Sequence, residues 1–299
     1  MWKQAAKFVF NSICEDLGYP ASVINLVNQV PGLNMPLVEH KKGISADEVV
    51  KWDEFGELSL GRSWSSPGRL CGWTYSPGSY GNYGHTVIRR DDLANLRVVH
   101  ELQSWTCDIQ DVDGFAASKS DLRRFRNMDE MVERNSKELI TEITPDRLAE
   151  HLSWDEIRII SRKDHDFFAT WAWDGRVFLM NSGGSHHFAA AKYIATRIDA
   201  QVPLTGRYRV YGLNEMALAS LRRDFDIFVL SSKAEHQNAF HNAMRRFQAS
   251  YFVQELPRPY YEQHAVFLPK AEKRSAKVSE ILHCAGFLDL GLYLKNLPR

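Results

Sequence analysis

The sequence predicts an α+β fold in which a small mixed sheet is flanked by an irregular N-terminal region and by C-terminal helices. One observation behind this prediction is a hairpin: the apolar stretches "FFATWAW" and "RVFLMNS" are joined by Asp174-Gly175, a strong signal for a tight turn between two strands. The other is the helical spacing of the apolar residues that follow the next glycines, which are Phe188, Ala191, Ile194, Ala195 and Ile198. Strand, turn and helix therefore follow one another here.

The N-terminal part of the chain carries weaker signals. Short helices are expected in the first 60 residues, and Ser45 with Glu48 forms a capping box that predicts a helix over 45–51. Residues 59–85 are dense in Gly, Ser, Pro, Trp and Tyr, a composition typical of turns. Their aromatic rings either stack on a ligand or anchor the segment to the core, and the sequence leaves both interpretations open.

The remaining elements follow from caps and periodicity. Residues 119–152 have a helical pattern, in which Thr144 and Pro145 begin a helix, and Asn214 caps a further helix. Strands are expected at 157–160, "YRVYGL" and "DIFVLSS", and helices at 235–253 and 281–294. These elements divide the chain into an N-terminal region at 1–140, loop-rich and then helical, a core at 141–232, and a C-terminal helical region at 233–299.

Composition narrows the class of protein. The chain has 299 residues, of which 44% are hydrophobic and 25% charged, and its 37 basic and 37 acidic residues cancel. This balance gives no overall positive field for nucleic acid, although local basic clusters stay open. The four cysteines form no CxxC pair, no signal-peptide core is recognisable, and no apolar run approaches the ~18 residues of a membrane span. We therefore expect a cytoplasmic protein with reduced thiols.

The candidate functional motif is "NSGGSHH", where the second hairpin strand gives way to the helix. Gly183 and Gly184 permit backbone angles that are closed to other residues, and a helix is expected to begin near Ser185. The first N–H groups of a helix have no partner within it, and the helix dipole places partial positive charge there, which suits phosphate. His186 and His187 would add donors. The alternative is a plain strand-to-helix connection, with Ser182 or Ser185 as the N-cap.

A metal site is the other chemistry that this region suggests. His186 and His187 are adjacent, so on a helix they point about 100° apart and rarely share one ion. Asp164 and Asp166, just before the hairpin, are the nearest carboxylates that could supply ligands. They are the candidate ligands for the Mg²⁺ that phosphoryl transfer usually needs.

The same residues carry a resemblance to a known superfamily. A hairpin ending in a glycine turn, an Ala-rich helix and a strand near "VPL" resemble the ParB and sulfiredoxin-like superfamily over residues 144–212. Sulfiredoxins have Gly-Gly-Cys-His-Arg followed by an aromatic residue and Ala-Ala, and here Gly183 to His187 and "FAA" occupy those positions. The resemblance implies that the turn holds nucleotide phosphates. Ser185 replaces the sulfiredoxin cysteine, so sulfinic acid reduction is not expected, and His187 replaces the arginine.

Together these observations predict a nucleotide-binding protein that takes ATP or CTP. Gly183 and Gly184 would open the turn, Ser185 and His186 would contact phosphate as the catalytic pair, and His187 would replace the missing arginine. If the protein is an enzyme, phosphoryl transfer or nucleotide hydrolysis is the expected reaction class. The alternative is a non-catalytic ParB-like module that binds DNA or a protein partner through the basic residues of its C-terminal half: Arg222, Arg223, Arg245, Arg246 and the segment 269–277.

Overall fold

Two five-stranded sheets organise the described part of the chain. The computed structural model describes residues 15–38, 43–57, 67–76, 82–161 and 166–298. The strands are β1 Arg69–Ser76, β2 Asn82–Arg89, β3 Arg97–Asp108, β4 Val112–Phe115, β5 Phe167–Trp171, β6 Val177–Met180, β7 Pro203–Leu213, β8 Phe225–Ser231, β9 Tyr251–Glu255 and β10 Gln263–Pro269. The fold is therefore a mixture of α and β elements, as predicted.

The helices are distributed among these strands along the chain. They are α1 Ala21–Gln29, α2 Asp91–Ala94, α3 Met128–Asn135, α4 Pro145–Leu152, α5 Arg158–Ser161, α6 Ser185–Arg197, α7 Glu215–Asp224, α8 Ala234–Phe247, α9 Lys273–Cys284 and α10 Leu290–Lys295. Short 3₁₀ turns lie at Pro31–Leu33, Ala46–Glu48, Trp52–Glu57, Ile109–Asp111, Leu122–Arg124 and Lys137–Ile140.

The chain divides into two compact units. The first unit comprises residues 1–38, 51–97 and 213–297, and the second unit comprises 39–50, 98–212 and 298–299. The predicted boundaries at 140 and 232 do not coincide with the limits of these units, and that three-part division stays a prediction.

The first unit is built on the sheet with strand order β2-β1-β9-β10-β8. The pairs within it are antiparallel. Helix α8 packs against α1, and α9 packs against β10. Large side chains such as Phe228, Phe247 and Phe267 are fully buried in this unit.

The second unit is built on the sheet with strand order β3-β7-β5-β6-β4. Strands β5 and β6 form an antiparallel hairpin, whereas β5 pairs with β7 and β4 pairs with β6 in parallel. Helix α6 follows the hairpin and packs against α3 and α4. Its apolar face, including Phe188 and Ile194, is buried in a core shared with Phe115 and Phe168. The helix is thereby fixed with its first turn at the end of β6.

Several predictions made from the sequence are confirmed. The hairpin at Asp174-Gly175 forms, with Gly175 at φ +78° as a tight turn requires. Thr144 caps α4 by accepting from the N–H of Arg147, and Asn214 caps α7. The strand expected at "YRVYGL" is the second half of the longer β7.

Other predictions are wrong, and each error has a local cause. Residues 158–160 lie in the short helix α5 and Ile157 directly precedes it, so no strand forms here; so short a stretch with three isoleucines fits either structure. The helix expected over 235–253 ends at Phe247, where Gln248 turns into the left-handed region, and "YFVQE" forms β9. The helix expected over 281–294 is divided between α9 and α10.

The N-terminal half also differs from expectation. Within the segment expected to form turns, 59–85, the described residues include β1 and part of β2, which pair as neighbouring antiparallel strands. The helix expected over 45–51 is a single 3₁₀ turn, although Ser45 caps it as predicted. The helical pattern before Thr144 is broken into α3 and two 3₁₀ turns.

Candidate functional site

A cavity lies at the N-terminus of α6, in the second unit. Its volume is about 740 Å³, which falls within the ~300–1,000 Å³ of small-molecule sites. Residues 117–120, 135–136, 138–139, 154, 156 and 182–187 contribute to its lining. The glycine turn predicted as the functional motif therefore opens into a space large enough for a ligand.

Gly184 is required here by the packing of the chain against itself. Its φ is +73°, and a Cβ at this position would lie 2.6 Å from the carbonyl oxygen of Glu156. A Cβ at Gly183 would lie 3.3 Å from the guanidinium of Arg158. The missing side chain of Gly184 thus makes room for the backbone that precedes α5. The sequence-based expectation was that the glycines admit a ligand, and this close approach explains Gly184 without one.

Asn181 holds the glycine turn to the segment that follows β4. Its Nδ2 donates to the carbonyl oxygens of Ala117 and Gly183 at 3.0 and 2.8 Å, and its Oδ1 accepts from the N–H of Ala117 at 3.1 Å. The side chain of Asn181 is buried. These bonds place Ser118 and Ser120 beside the first turn of α6.

The first turn of α6 carries no side-chain cap. Its N-cap residue is Gly184, and the Ser185 hydroxyl donates to Ser118 Oγ at 2.9 Å instead of capping the helix. Among the described groups, none accepts from the backbone N–H of Ser185, His186 or His187. The partial positive charge of the helix N-terminus therefore lies at the cavity and is available to an anion.

The imidazole of His186 is engaged at both nitrogens. Its Nδ1 contacts the hydroxyl of Ser136, and its Nε2 lies 3.2 Å from Ser120 Oγ and 3.5 Å from Ser118 Oγ. Burial lowers the pKa of His186, and the charge of Lys119 acts in the same direction, so the ring is neutral near pH 7. Donation from His186 to a phosphoryl oxygen would require one of these serines to be displaced.

His187 points to different partners from its neighbour. Its Nδ1 lies 3.0 Å from Nδ1 of His151, and its ring stacks on Trp154 with 4.0 Å between centroids and 11° between planes. Burial lowers the pKa of His187, and the nearby His151 and Arg147 add to this effect. The two adjacent histidines therefore hold separate positions at one cavity, as their helical spacing predicts.

Of the two predicted metal ligands, Asp166 does not line this cavity. Asp164 lies outside the described residues. Asp166 accepts from the N–H and hydroxyl of Ser182 at 3.3 and 3.2 Å and lines a different cavity, of about 570 Å³. Within the described ranges, no group of three or more His, Cys, Asp or Glu side chains could hold a metal ion. The assignment of Asp164 and Asp166 as ligands stays a prediction.

A protein family matches the part of the chain that contains this cavity. Residues 102–299 match the family of unknown function DUF6685. The chain belongs to this family. No curated protein and no solved structure matches it. All residues that line the cavity at α6 lie within the matched stretch. Of the helices that the structure describes, none has the length and apolar character needed to cross a membrane.

Several residues of the site in this DUF6685 chain escaped the sequence analysis. They are Ser118, Ser120, Ser136, His151 and Trp154. His151 lies 36 positions before its partner His187 in the sequence. Its position at the end of α4 was predictable from the cap at Thr144, but its contact with His187 depends on how α4 packs against α6. Nothing in the local pattern around His151 indicates that contact.

The basic residues of the DNA-binding alternative lie in the first unit, where several make internal contacts. Arg223 pairs with Asp224 at 2.9 Å, and Lys270 pairs with Asp226 at 3.1 Å. In the segment 269–277, Arg274 and Lys277 donate to the carbonyl oxygens of Phe247 and Gly18. Internal pairing of this kind reduces the positive charge that these residues offer to a partner.

Proposed function

We propose that the second unit binds a nucleotide, with its phosphates at the N-terminus of α6. The observation that carries this proposal is the uncapped first turn: its N–H groups at Ser185, His186 and His187 have no acceptor among the described residues, and these three residues line a cavity of about 740 Å³. An anion placed there accepts several backbone hydrogen bonds and meets the positive end of the helix dipole. Lys119 in the same lining adds a charged donor.

The rest of the cavity suits a base and a sugar. Trp154 lines the cavity, is 45% exposed, and has one ring face covered by His187. Its other face supports stacking of a nucleobase, which contributes about 1–3 kcal/mol per base in other proteins. A phosphate anchor with an aromatic platform beside it favours a nucleotide over inorganic phosphate.

The order of elements around the site also supports a nucleotide. The hairpin β5–β6, the glycine turn, α6 and β7 follow one another as in a ParB/sulfiredoxin-like core, and we propose that the second unit is a variant of that core. ATP and CTP are the candidate nucleotides. The carboxylates at this cavity are Glu138 and Glu156, so Mg²⁺ carried in with the phosphates would meet these side chains rather than Asp166.

In this proposal the side chains of Ser185 and His186 hold the wall of the cavity in place and do not take part in a reaction. Both side chains are already bonded to serines of the cavity wall, and the Ser185 side chain is buried. The contact with phosphate is assigned to their backbone N–H groups.

Isothermal titration of the folded protein with ATP and CTP, with and without Mg²⁺, tests the proposal. At least one nucleotide is expected to bind. Lys119→Ala is expected to raise its Kd about 5- to 30-fold, because a charged hydrogen bond contributes about 1–2 kcal/mol in a partly exposed site.

Lys137→Ala is the matched control, because Lys137 is exposed and does not line the cavity. It is expected to leave Kd within about twofold of the unmodified protein. Absence of binding by both nucleotides, or equal effects of the two lysine substitutions, contradicts the proposal.

A further inference from the structure

The hydrogen bonds around His151 fix the positions of the protons on two histidines. His151 Nε2 lies 2.8 Å from the carbonyl oxygen of Leu139, which only accepts, so Nε2 carries the proton. In the neutral ring the Nδ1 of His151 is therefore bare. Because this atom lies 3.0 Å from Nδ1 of His187, the proton between them belongs to His187. It follows that Nε2 of His187 carries a lone pair and no proton.

The charged and titratable groups around this pair favour neutral rings. Burial lowers the pKa of both His151 and His187, and Arg147 on α4 lowers both further. Glu150 raises the pKa of His151, and Glu156 raises that of His187, without reversing either shift. The neighbouring His186 also opposes protonation of His187. The assignment of protons therefore applies near neutral pH.

Neighbouring side chains fix the position of the His187 ring, and its unprotonated Nε2 is open to the cavity. His151 is 1% exposed, and Trp154 stacks on the His187 ring. No group in the described part of the chain makes a hydrogen bond to Nε2 of His187, which lines the cavity. His186 differs, since serines occupy both of its nitrogens. Of the two histidines, His187 offers the free base.

We propose that His187 is the proton acceptor for hydrolysis of the nucleotide bound at α6, and that His151 is the positioning residue that keeps its Nε2 bare. This inference rests on the proposed function. It assigns the proton transfer to His187. From the sequence, His187 was expected only to take the place of the arginine found in sulfiredoxins.

The reaction is balanced with water as the second reactant. The water oxygen forms a bond to the terminal phosphorus, and the bond from that phosphorus to the bridging oxygen breaks. The electron pair of that bond leaves with the nucleoside diphosphate. Nε2 of His187 takes a proton from the water, and the resulting imidazolium releases it to solvent. Nδ1–H of His187 stays bonded to His151 throughout.

The proton positions are measured directly by long-range ¹H–¹⁵N NMR of the imidazole rings, which separates bare from protonated nitrogens. At pH 7.5 we expect His187 with a proton on Nδ1 and none on Nε2. His151→Phe removes the acceptor and is expected to move the proton to Nε2, whereas His151→Gln supplies a side-chain oxygen and is expected to retain the original form. A proton on Nε2 of His187 in the unmodified protein overturns the inference, and this result needs no variant to fold.

The reaction is tested by phosphate release from ATP and CTP, with the Kd of each variant measured by titration. His187→Gln is expected to lower the rate by about 10²-fold or more while Kd changes less than about threefold. The acid limb of the pH–rate profile is expected to disappear with it. His241→Gln, which removes a half-buried neutral histidine of the first unit, is the matched control and is expected to leave the rate unchanged.

The outcomes separate the two proposals. If nucleotide binds and His187→Gln releases phosphate as fast as the unmodified protein, the role of His187 is wrong and the proposed function stands. If neither nucleotide binds, the proposed function and the hydrolytic role are both wrong, whatever form His187 takes in the NMR spectrum.

Discussion

Gly184 meets two structural requirements, a left-handed backbone conformation and the close approach of another part of the main chain. The backbone has φ +73°, and the main chain at Glu156 comes so close that a Cβ would contact its carbonyl oxygen at 2.6 Å. Gly175 has a similar φ of +78°, but among the described residues, its two chain neighbours aside, no atom lies within 4 Å of its Cβ position. The two glycines therefore separate the effect of backbone conformation from the effect of close packing.

Gly184→Ala is expected to destabilise the protein more than Gly175→Ala. The left-handed conformation costs an alanine about 1–2 kcal/mol at either position. At Gly184 the clash with the backbone adds about 1–3 kcal/mol, because the chain around Glu156 has to move. Urea unfolding of both variants measures the difference. Equal losses would contradict a contribution of close packing at Gly184 to stability.

Residue types at the site were predictable from sequence, but their contacts were not. The glycine turn, Ser185 and the two histidines follow from the local pattern of strand, turn and helix. Whether either histidine keeps an open nitrogen depends on Ser120, Ser136 and His151, which come from other parts of the chain. Sequence reasoning gave the phosphate contact to His186, whereas the geometry leaves the free nitrogen on His187.

Among the elements, β10 holds a buried histidine. His264 lies in β10, which pairs with both β8 and β9, and is 5% exposed. Burial lowers its pKa from 6.5 to about 4, and its Nδ1 has no hydrogen-bond partner in the described part of the chain. Protonation would place a charge in the sheet without an acceptor.

Stability is therefore expected to fall as the pH decreases from about 6.5 to about 4. The unfolded chain binds a proton at His264 in this window and the folded chain does not, so the free energy of unfolding decreases by about 3 kcal/mol. His264→Leu removes this contribution, and its pH dependence should be flatter by that amount. Parallel curves for the variant and the unmodified protein down to pH 4 would contradict the shifted pKa. Above pH 7 the curves are expected to be parallel in any case.

Element types were predictable where a local signal was strong. The Asp174-Gly175 hairpin and the caps at Thr144 and Asn214 formed as expected, because turn and cap chemistry depends on neighbouring residues. The end of α8 was missed because apolar spacing continues past Phe247 into β9, where pairing with β10 and β1 decides the structure. Because β1 lies far from β9 in the sequence, their pairing leaves no local pattern.

At the scale of the whole molecule, the chain enters each unit more than once. Residues 39–50 belong to the second unit although the segments on either side of them belong to the first. Composition and periodicity suggest a division of the chain into consecutive segments. Such a division does not show that the chain leaves a unit and returns to it. The family match begins at residue 102, close to the start of the main segment of the second unit.

The proposed nucleotide site depends most on the first turn of α6 as the phosphate anchor, and backbone amide NMR tests this role directly. On titration with the nucleotide that binds, the largest ¹H–¹⁵N shift changes are expected at Ser185, His186 and His187, which line the cavity and whose N–H groups have no acceptor among the described residues. Inorganic phosphate at higher concentration is expected to shift the same three signals. Saturation with nucleotide that leaves these signals in place, with changes confined to other parts of the chain, would contradict this role.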